Sequence, residues 1–300
     1  MPGTKPIKVS IIMPTYNLAG YILETIQSIR DQTYPYWELI IVDDGSDDNT
    51  EEIVMRLNEE RIKFFSAGRM GIGGKIKNIG LKKATGDLYA FIDADDVWAT
   101  DKIEKQVRAL QEYPDAGFCL TGGFNFNIPY EPVEYFYKQR EGVKVGKVFM
   151  DYFRSELPGF TQALMLRREC IHVTGLFKEE NKFSDLDFIL RLAWHYPAVI
   201  LYEPLFYRRL HNENYSSLSW EKSYYEGMEL IRSYKEQRMV DPKLARESLF
   251  NLYINFGEDC LLHKKRGKAL LNFFNAWTKR PGSIIPLKKT AKTFLSGFKK

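Results

Sequence analysis

Cysteine is scarce in this chain. Cys119, Cys170 and Cys260 are far apart, odd in number and without a C-x-x-C pair, which argues against a disulfide framework or a thiolate metal site and fits a reducing cytosol. Long hydrophobic runs are missing too. None reaches the ~20 residues of a membrane span, and the opening MPGTKPIKVSIIMPTYN holds too short an apolar stretch for a secretory signal. A soluble, cytoplasmic body is therefore expected. No low-complexity tract or fixed-period repeat is present, which excludes a solenoid or a disordered chain. Neither G-x-G-x-x-G nor G-x-x-x-x-G-K-[ST] follows the first apolar run, so the common dinucleotide and P-loop folds are set aside. Acidic residues are the last absence: none follows Asp259.

What is present divides unevenly by charge. Eleven of the 43 Lys and Arg lie between Lys264 and Lys300, leaving 32 basic against 39 acidic side chains before them. An acidic body carrying a basic tail suggests an anionic partner for the tail. At 300 residues and 44% hydrophobic content, the chain can bury one large core or two smaller ones.

Residues 8–14 and 37–42 are short β-branched-rich runs without polar alternation, the pattern of strands covered on both faces. Between them Ile22, Leu23, Ile26 and Ile29 share one helical face. A helix is expected after GSDDNT, then a strand at 62–65, a helix over 75–84, a strand ending in DADD, and a helix over 101–113. Alternation of this kind predicts an α/β fold with a doubly wound, mainly parallel sheet. Further strands are expected at 118–126, 163–167 and 199–209, with a helix over 183–195. Beyond Ser216 the pattern is helical, with a break at Asp241-Pro242. The expected division is a domain over 1–217 and a C-terminal helical extension over 218–300.

Ligands in such sheets bind outside the carboxyl ends of the strands, and PTYN, DDGS and DADD stand there. Asp93, Asp95 and Asp96 repel one another when ionised. A divalent cation, Mg²⁺ or Mn²⁺, relieves that repulsion through oxygen ligands and in turn holds phosphate oxygens. One Asp would read as an ordinary cap or turn; three favour the metal. Asp44, at a buried strand end, can accept from a base ring N–H, which uracil, thymine and guanine offer and neutral adenine and cytosine do not. Asp47, Asp48 and Asn49 read as a polar loop with a helix cap.

PTYN, VDDGSDDNT, KNIGLKKATGD, FIDADDVW, TGLFKE, SDLDFILRL and YRRLH resemble, in that order and over roughly residues 7–217, the motifs of glycosyltransferase family 2, with its GT-A fold. The resemblance implies inverting transfer of a sugar from a nucleoside diphosphate sugar, most often a UDP-sugar, to an acceptor hydroxyl. It implies that Thr15 and Asp44 contact the nucleoside with Tyr16 and Asn17 nearby, that Asp93 contacts the ribose, that Ala94 and Asp95 continue the site, and that Asp95 and His211 serve the metal. Asp185 takes the place of the base that activates the acceptor. Lys77 stands where an Arg is frequent, so a diphosphate contact is expected of it with less geometric definition. Ser184 stands where Glu is common, making Asp187 the alternative base, and Leu186 replaces the usual aromatic residue. The implied acceptor is a sugar or a lipid-linked sugar, as in cell-surface polysaccharide or glycolipid biosynthesis. A nucleotidyltransferase and a non-catalytic sugar-nucleotide-binding protein are the other readings. A nucleotidyltransferase would place a basic Gly-rich loop after the first strand, where PTYN stands.

The tail carries two apolar stripes: Leu270, Phe273, Phe274 and Trp277, then Leu287, Ala291, Phe294, Leu295 and Phe298. Basic amphipathic helices with Phe and Trp on one face lie in membrane interfaces, so a peripheral position at the inner face of the cell membrane, on anionic lipid, is expected. The bland outcome is that both stripes pack on the catalytic domain. Base stacking by the interleaved aromatics is the remaining option, and no nucleic-acid partner is expected.

Overall fold

A computed structural model describes residues 6–127, 131–137, 140–154, 156–179, 184–211 and 220–295. By internal contacts the chain divides into two compact units, Met1–Phe149 with Pro158–His211, and Met150–Leu157 with Asn212–Lys300.

The first unit is built on one mixed sheet. Its first half is the expected alternation: β1 (Val9–Thr15), α1 (Ile22–Arg30), β2 (Trp37–Asp43), α2 (Thr50–Met55), β3 (Ile62–Ser66), α3 (Gly73–Lys83), β4 (Leu88–Phe91), a two-residue β5 (Val97–Trp98) and α4 (Lys102–Glu112). The second half adds β6 (Phe118–Phe126), β7 (Pro132–Tyr135), β8 (Val143–Gly146), α5 (Phe149–Phe153, which crosses the boundary between the units), a 3-10 turn (Thr161–Ala163), β9 (Leu164–Arg167), α6 (Cys170–Thr174), α7 (Ser184–His195) and β10 (Ala198–Arg209). The strand order is β3-β2-β1-β4-β9-β6-β10-β5, with β7 beside β6 and β8 beside β10.

Strands β3, β2, β1 and β4 run parallel, as the unbroken apolar runs of β1 and β2 predict. From there the sheet departs from a simple parallel order. Strand β9 enters antiparallel between β4 and β6, while β6 and β10 pair in parallel. Every residue of β2 and β6 is buried, and the covering faces come from helical stripes: Ile22, Ile26 and Ile29 on α1, Ile103, Val107 and Leu110 on α4. The N-I-G of α3 is a packing device. A Cβ at Gly80 would stand 2.6 Å from Ile12 of β1, and the Asn78 amide bonds both the N–H and the C=O of Phe177 at 2.9 Å. This crossing sets the carboxyl ends of β1, β2 and β4 side by side.

The second unit holds α8 (Trp220–Glu236), α9 (Pro242–Leu262), α10 (Arg266–Lys279) and α11 (Ile285–Leu295). The break expected at Asp241-Pro242 is the start of α9, where Asp241 accepts from the N–H groups of Lys243 (2.8 Å) and Leu244 (3.2 Å). Its core gathers Met228, Leu249, Phe250, Tyr253, Phe256, Phe273 and Ala276. A Cβ at Gly257 would meet the Phe273 ring, so α9 and α10 cross closely. Among the described residues, no helix is long and apolar enough to cross a membrane.

The stripe expected on α10 is split. Phe273 is in the core, while Phe274 faces out, because α9 covers only one side of the helix. On α11 Leu287 and Ala291 are exposed. The side chains of Phe294, Leu295 and Phe298 lie outside the described residues.

Candidate active site

The carboxyl end of β1 turns sharply at Asn17, whose φ is 51°. That turn aims its side-chain oxygen at the Asp47 N–H (2.9 Å), while its own N–H donates to Ser46 Oγ (2.9 Å). Asp43 accepts from the Gly45 and Ser46 N–H groups. Asp48 accepts from Thr50 and from the Ala19 N–H, the capping part expected of that loop. Asp44 is occupied: its carboxylate accepts from the Met70 N–H (2.5 Å), the Gly71 N–H (2.9 Å) and the Arg69 guanidinium. Arg69 also lies over the Tyr16 ring, 3.7 Å from its centroid. Thr15 Oγ1 is buried at this edge and bonds no described residue.

The acidic cluster lies between β4 and β5. One carboxylate oxygen from each of Asp93, Asp95 and Asp96 lies within 4.8 Å of the others. Burial drives Asp93 up to about 6, with Asp95 and Asp185 adding to the rise and Lys77 opposing it. Burial and the same like charges push Asp96 well above the usual carboxylate range. Closely set carboxylates that resist ionising together are the donor set a hard divalent cation satisfies.

The three are not equivalent. Asp96 is buried, and its oxygens accept from the Arg209 N–H (3.0 Å) and the Gln162 amide (3.1 Å), which makes it a brace. Gln162 also bonds Asp93. Asp95 faces His211, with Nε2 2.9 Å from Oδ2, and the imidazole stacks on Tyr21 at 4.8 Å. Arg209 bonds the Asp95 carbonyl (3.0 Å) and Glu24 (2.6 Å), tying β10 to α1. Ala94 is fully buried, and its carbonyl accepts from the Thr25 hydroxyl. It holds its two acidic neighbours one residue apart on a fixed stretch of backbone.

Asp185, in the first turn of α7, is drawn to this cluster by Lys77 of α3. The ammonium bonds both carboxylate oxygens, at 2.7 and 2.6 Å, and Thr161 at 3.2 Å; Thr161 also donates to Asp185. Burial alone would lower the Lys77 pKa, but Asp185 and Asp93 outweigh it and hold it above the ordinary lysine value. The side chain of Lys77 is only 6% exposed. In this arrangement α3 points the ammonium into the sheet edge beside α7, where it forms an ion pair with the candidate base. Asp187 lies elsewhere. It is buried between Lys178 and Arg191, each at 2.8 Å, and Arg191 holds the Leu176 carbonyl, so Asp187 locks the 174–178 loop.

Gln162 and Thr161 were not legible from sequence, since they belong to an irregular segment that carries no motif. Arg69 was equally hidden. Arg209 stood inside YRRLH and could have been read from it.

The model of the family described as Glycosyl transferase family 2 matches residues 10–177. WfgD of Escherichia coli, named UDP-Glc:alpha-D-GlcNAc-diphosphoundecaprenol beta-1,3-glucosyltransferase, is 41% identical over 102 residues, 34% of this chain and 40% of that protein. TuaG of Bacillus subtilis (strain 168), by name a candidate teichuronic acid biosynthesis glycosyltransferase, is 40% identical over 124 residues, 41% of this chain and 48% of TuaG. The chain thus spans under half the length of these relatives. Among solved structures, S. aureus TarS 1-349 in complex with UDP-GlcNAc superposes with a TM-score of 0.66 at 19% identity, covering 91% of this chain and 81% of that one. The mannosyltransferase PcManGT from Pyrobaculum calidifontis, in complex with GDP-Man and Mn²⁺, gives 0.61 at 21%, covering 99% and 82%. These likenesses show the fold, which is GT-A.

Proposed function

Because the chain belongs to glycosyl transferase family 2, we propose that it moves a sugar from a nucleoside diphosphate sugar, by preference a UDP-sugar, to an acceptor hydroxyl with inversion at the anomeric carbon. The observation that carries this reading is the meeting of Asp185 with the aspartate cluster across Lys77. One carboxylate stands ready as a base within reach of the cluster that would hold the donor's diphosphate.

In the proposed reaction the acceptor oxygen attacks the anomeric carbon on the face opposite the diphosphate. Asp185 takes the hydroxyl proton, a contribution of about 10²–10⁴ in rate. The bond from the anomeric carbon to the β-phosphate oxygen breaks, and its electron pair leaves with the nucleoside diphosphate. A Mn²⁺ or Mg²⁺ ion held by Asp95 and His211 beside Asp93 would offset the charge growing on that leaving group. No second acid is required, in contrast to glycoside hydrolysis.

Lys77 acts here as a positioning residue: its N–H groups hold the Asp185 carboxylate in one orientation. Tyr16, Thr15 and the 69–71 loop line the nucleoside end. Asp44 orders that loop and meets the base ring N–H only if one of its present donors yields. UDP as carrier is supported by the donors named for WfgD and TarS, and a divalent ion by the Mn²⁺ of PcManGT. A lipid-linked sugar acceptor in cell-surface polysaccharide biosynthesis is supported by the names of WfgD and TuaG.

The test is a panel of UDP-, GDP- and dTDP-sugars, with turnover followed in Mn²⁺, in Mg²⁺ and in excess chelator. Turnover of a UDP-sugar that needs the ion is expected. Undiminished turnover in chelator would remove the metal from the scheme, and no turnover or binding of any sugar nucleotide would overturn the reading.

A further inference from the structure

The helical unit exposes apolar side chains where its charge is all of one sign. On α10 Leu271 and Phe274 are each 59% exposed, one turn apart on the face opposite Phe273. Trp277 stacks on Phe274 with ring centroids 6.2 Å apart. The chain then turns through Pro281-Gly282, with Ile284 60% exposed just before α11 and Leu287 55% exposed in its first turn. Five large apolar groups, Leu271, Phe274, Ile284, Ile285 and Leu287, thus face solvent within one short helix–turn–helix stretch, with Trp277 half-buried beside them. Single exposed apolar residues are ordinary on a protein surface, whereas a cluster of them marks an interaction site.

The cations decide which partner fits. Residues 264–295 contain nine Lys or Arg and no Asp or Glu. Three are committed within the unit, Lys265 and Lys268 to Glu221 and Lys289 to Glu258. Lys264, Lys279, Lys288 and Lys292 make no ion pair among the described residues; Lys264 lies in the turn before α10, Lys279 at the end of α10, and Lys288 and Lys292 on α11. A protein partner of ordinary surface offers both signs of charge, and a neutral apolar groove leaves four ammonium groups unmatched. A bilayer carrying anionic headgroups answers both features at once. The acyl boundary takes the Leu, Phe and Ile side chains, and the headgroup phosphates take the lysines, whose stems reach upward along the apolar surface.

We infer that the α10–α11 face, with Leu271, Phe274, Ile284 and Leu287 as anchors and Lys279, Lys288 and Lys292 as its cationic rim, docks on the surface of an anionic lipid bilayer without crossing it. The inference stands apart from the catalytic reading, since it concerns only the helical unit and its test reads binding.

The experiment is sedimentation of the full chain with phosphatidylglycerol–phosphatidylcholine vesicles and with pure phosphatidylcholine vesicles, at low and high salt. The chain is compared with a Leu271→Gln/Phe274→Gln/Leu287→Gln variant and a Lys279→Gln/Lys288→Gln/Lys292→Gln variant. All substituted positions lie outside the core, so both variants should keep the wild-type melting temperature, which circular dichroism checks. Binding to the anionic vesicles that falls about tenfold or more in either variant is expected, together with weakening by salt in the wild type. Equal sedimentation of wild type and folded variants overturns the inference, as does equal binding to neutral vesicles. Wild-type protein that ignores vesicles but dimerises through the same residues overturns it as well, and assigns the face to a second copy.

Discussion

Asp185 and Asp187 sit two positions apart on one helix and do different work. Asp185 is half-open toward Lys77 and Thr161, whereas Asp187 is enclosed by Lys178 and Arg191. Asp185→Asn is expected to fold and bind UDP as the wild type does while losing about 10²–10⁴ in transfer rate. Asp187→Asn should instead lower the melting temperature, with turnover per folded molecule little changed. Calorimetric UDP titration, thermal melts and initial rates on both variants check this. A large kinetic loss in Asp187→Asn alone would reassign the base. Lys77 separates two other possibilities. As the partner of Asp185, its replacement in Lys77→Met should lower kcat and leave the UDP Kd unchanged. A diphosphate ligand would show the opposite split, with UDP binding weakened first.

At the scale of elements, two buried ionisable side chains give stability opposite pH signatures. Glu38 of β2 bonds Ser10 of β1, Lys8, Lys63 and the Thr85 N–H. Burial alone would raise its pKa, but these donors hold the carboxyl far below the ordinary range. A depressed carboxylate contributes stability above its unfolded pKa of about 4.3 and loses it as pH falls below that value. Glu38→Gln is therefore expected to lower stability most near neutral pH, by about 1–3 kcal/mol, with the gap to wild type closing in acid. Urea denaturation across pH measures it. Lys102 of α4 runs the other way. It is buried against the Trp98 ring at 4.1 Å with Gln106 as hydrogen-bond partner, and burial pulls it down to about 7. The unfolded chain keeps that proton up to about pH 10, so wild-type stability should rise with pH between about 7 and 10. Lys102→Met should melt above the wild type at about pH 7, with the difference shrinking as pH rises through that window. A constant difference would contradict the assigned protonation.

At the scale of the molecule, each unit has its own core, and each should report damage separately. Phe273 is wholly buried against Gly257 in the helical unit. Phe273→Ala is expected to cost that unit about 3–5 kcal/mol. Hydrogen exchange should then accelerate over α9 and α10 while the amides of β1 and β2 keep their protection. Uniform acceleration across both units would mean that they unfold as one.

The sequence by itself determined the strands β1 to β4, β6 and β10 and the helices α1, α4 and α7. Strands β1, β2, β4 and β6 are buried along almost their whole length, which demands such runs. Strands β3 and β10 are apolar enough to read though only partly covered, and the helices carry apolar stripes. It also determined that carboxylates collect at the strand ends, since polar residues after a buried strand have nowhere else to go. Tertiary structure decided the rest. The exposed or two-residue strands β5, β7 and β8 carry no period to read. The antiparallel entry of β9 depends on chain geometry and not on its composition. Whether Phe273 or Phe274 faces inward depends on where α9 crosses α10. The pairing of Lys77 with Asp185 joins residues separated by 108 positions. Which carboxylate a buried ammonium meets is set by the crossing of α3 past β1 beside α7, and local residue order contains no record of that distance.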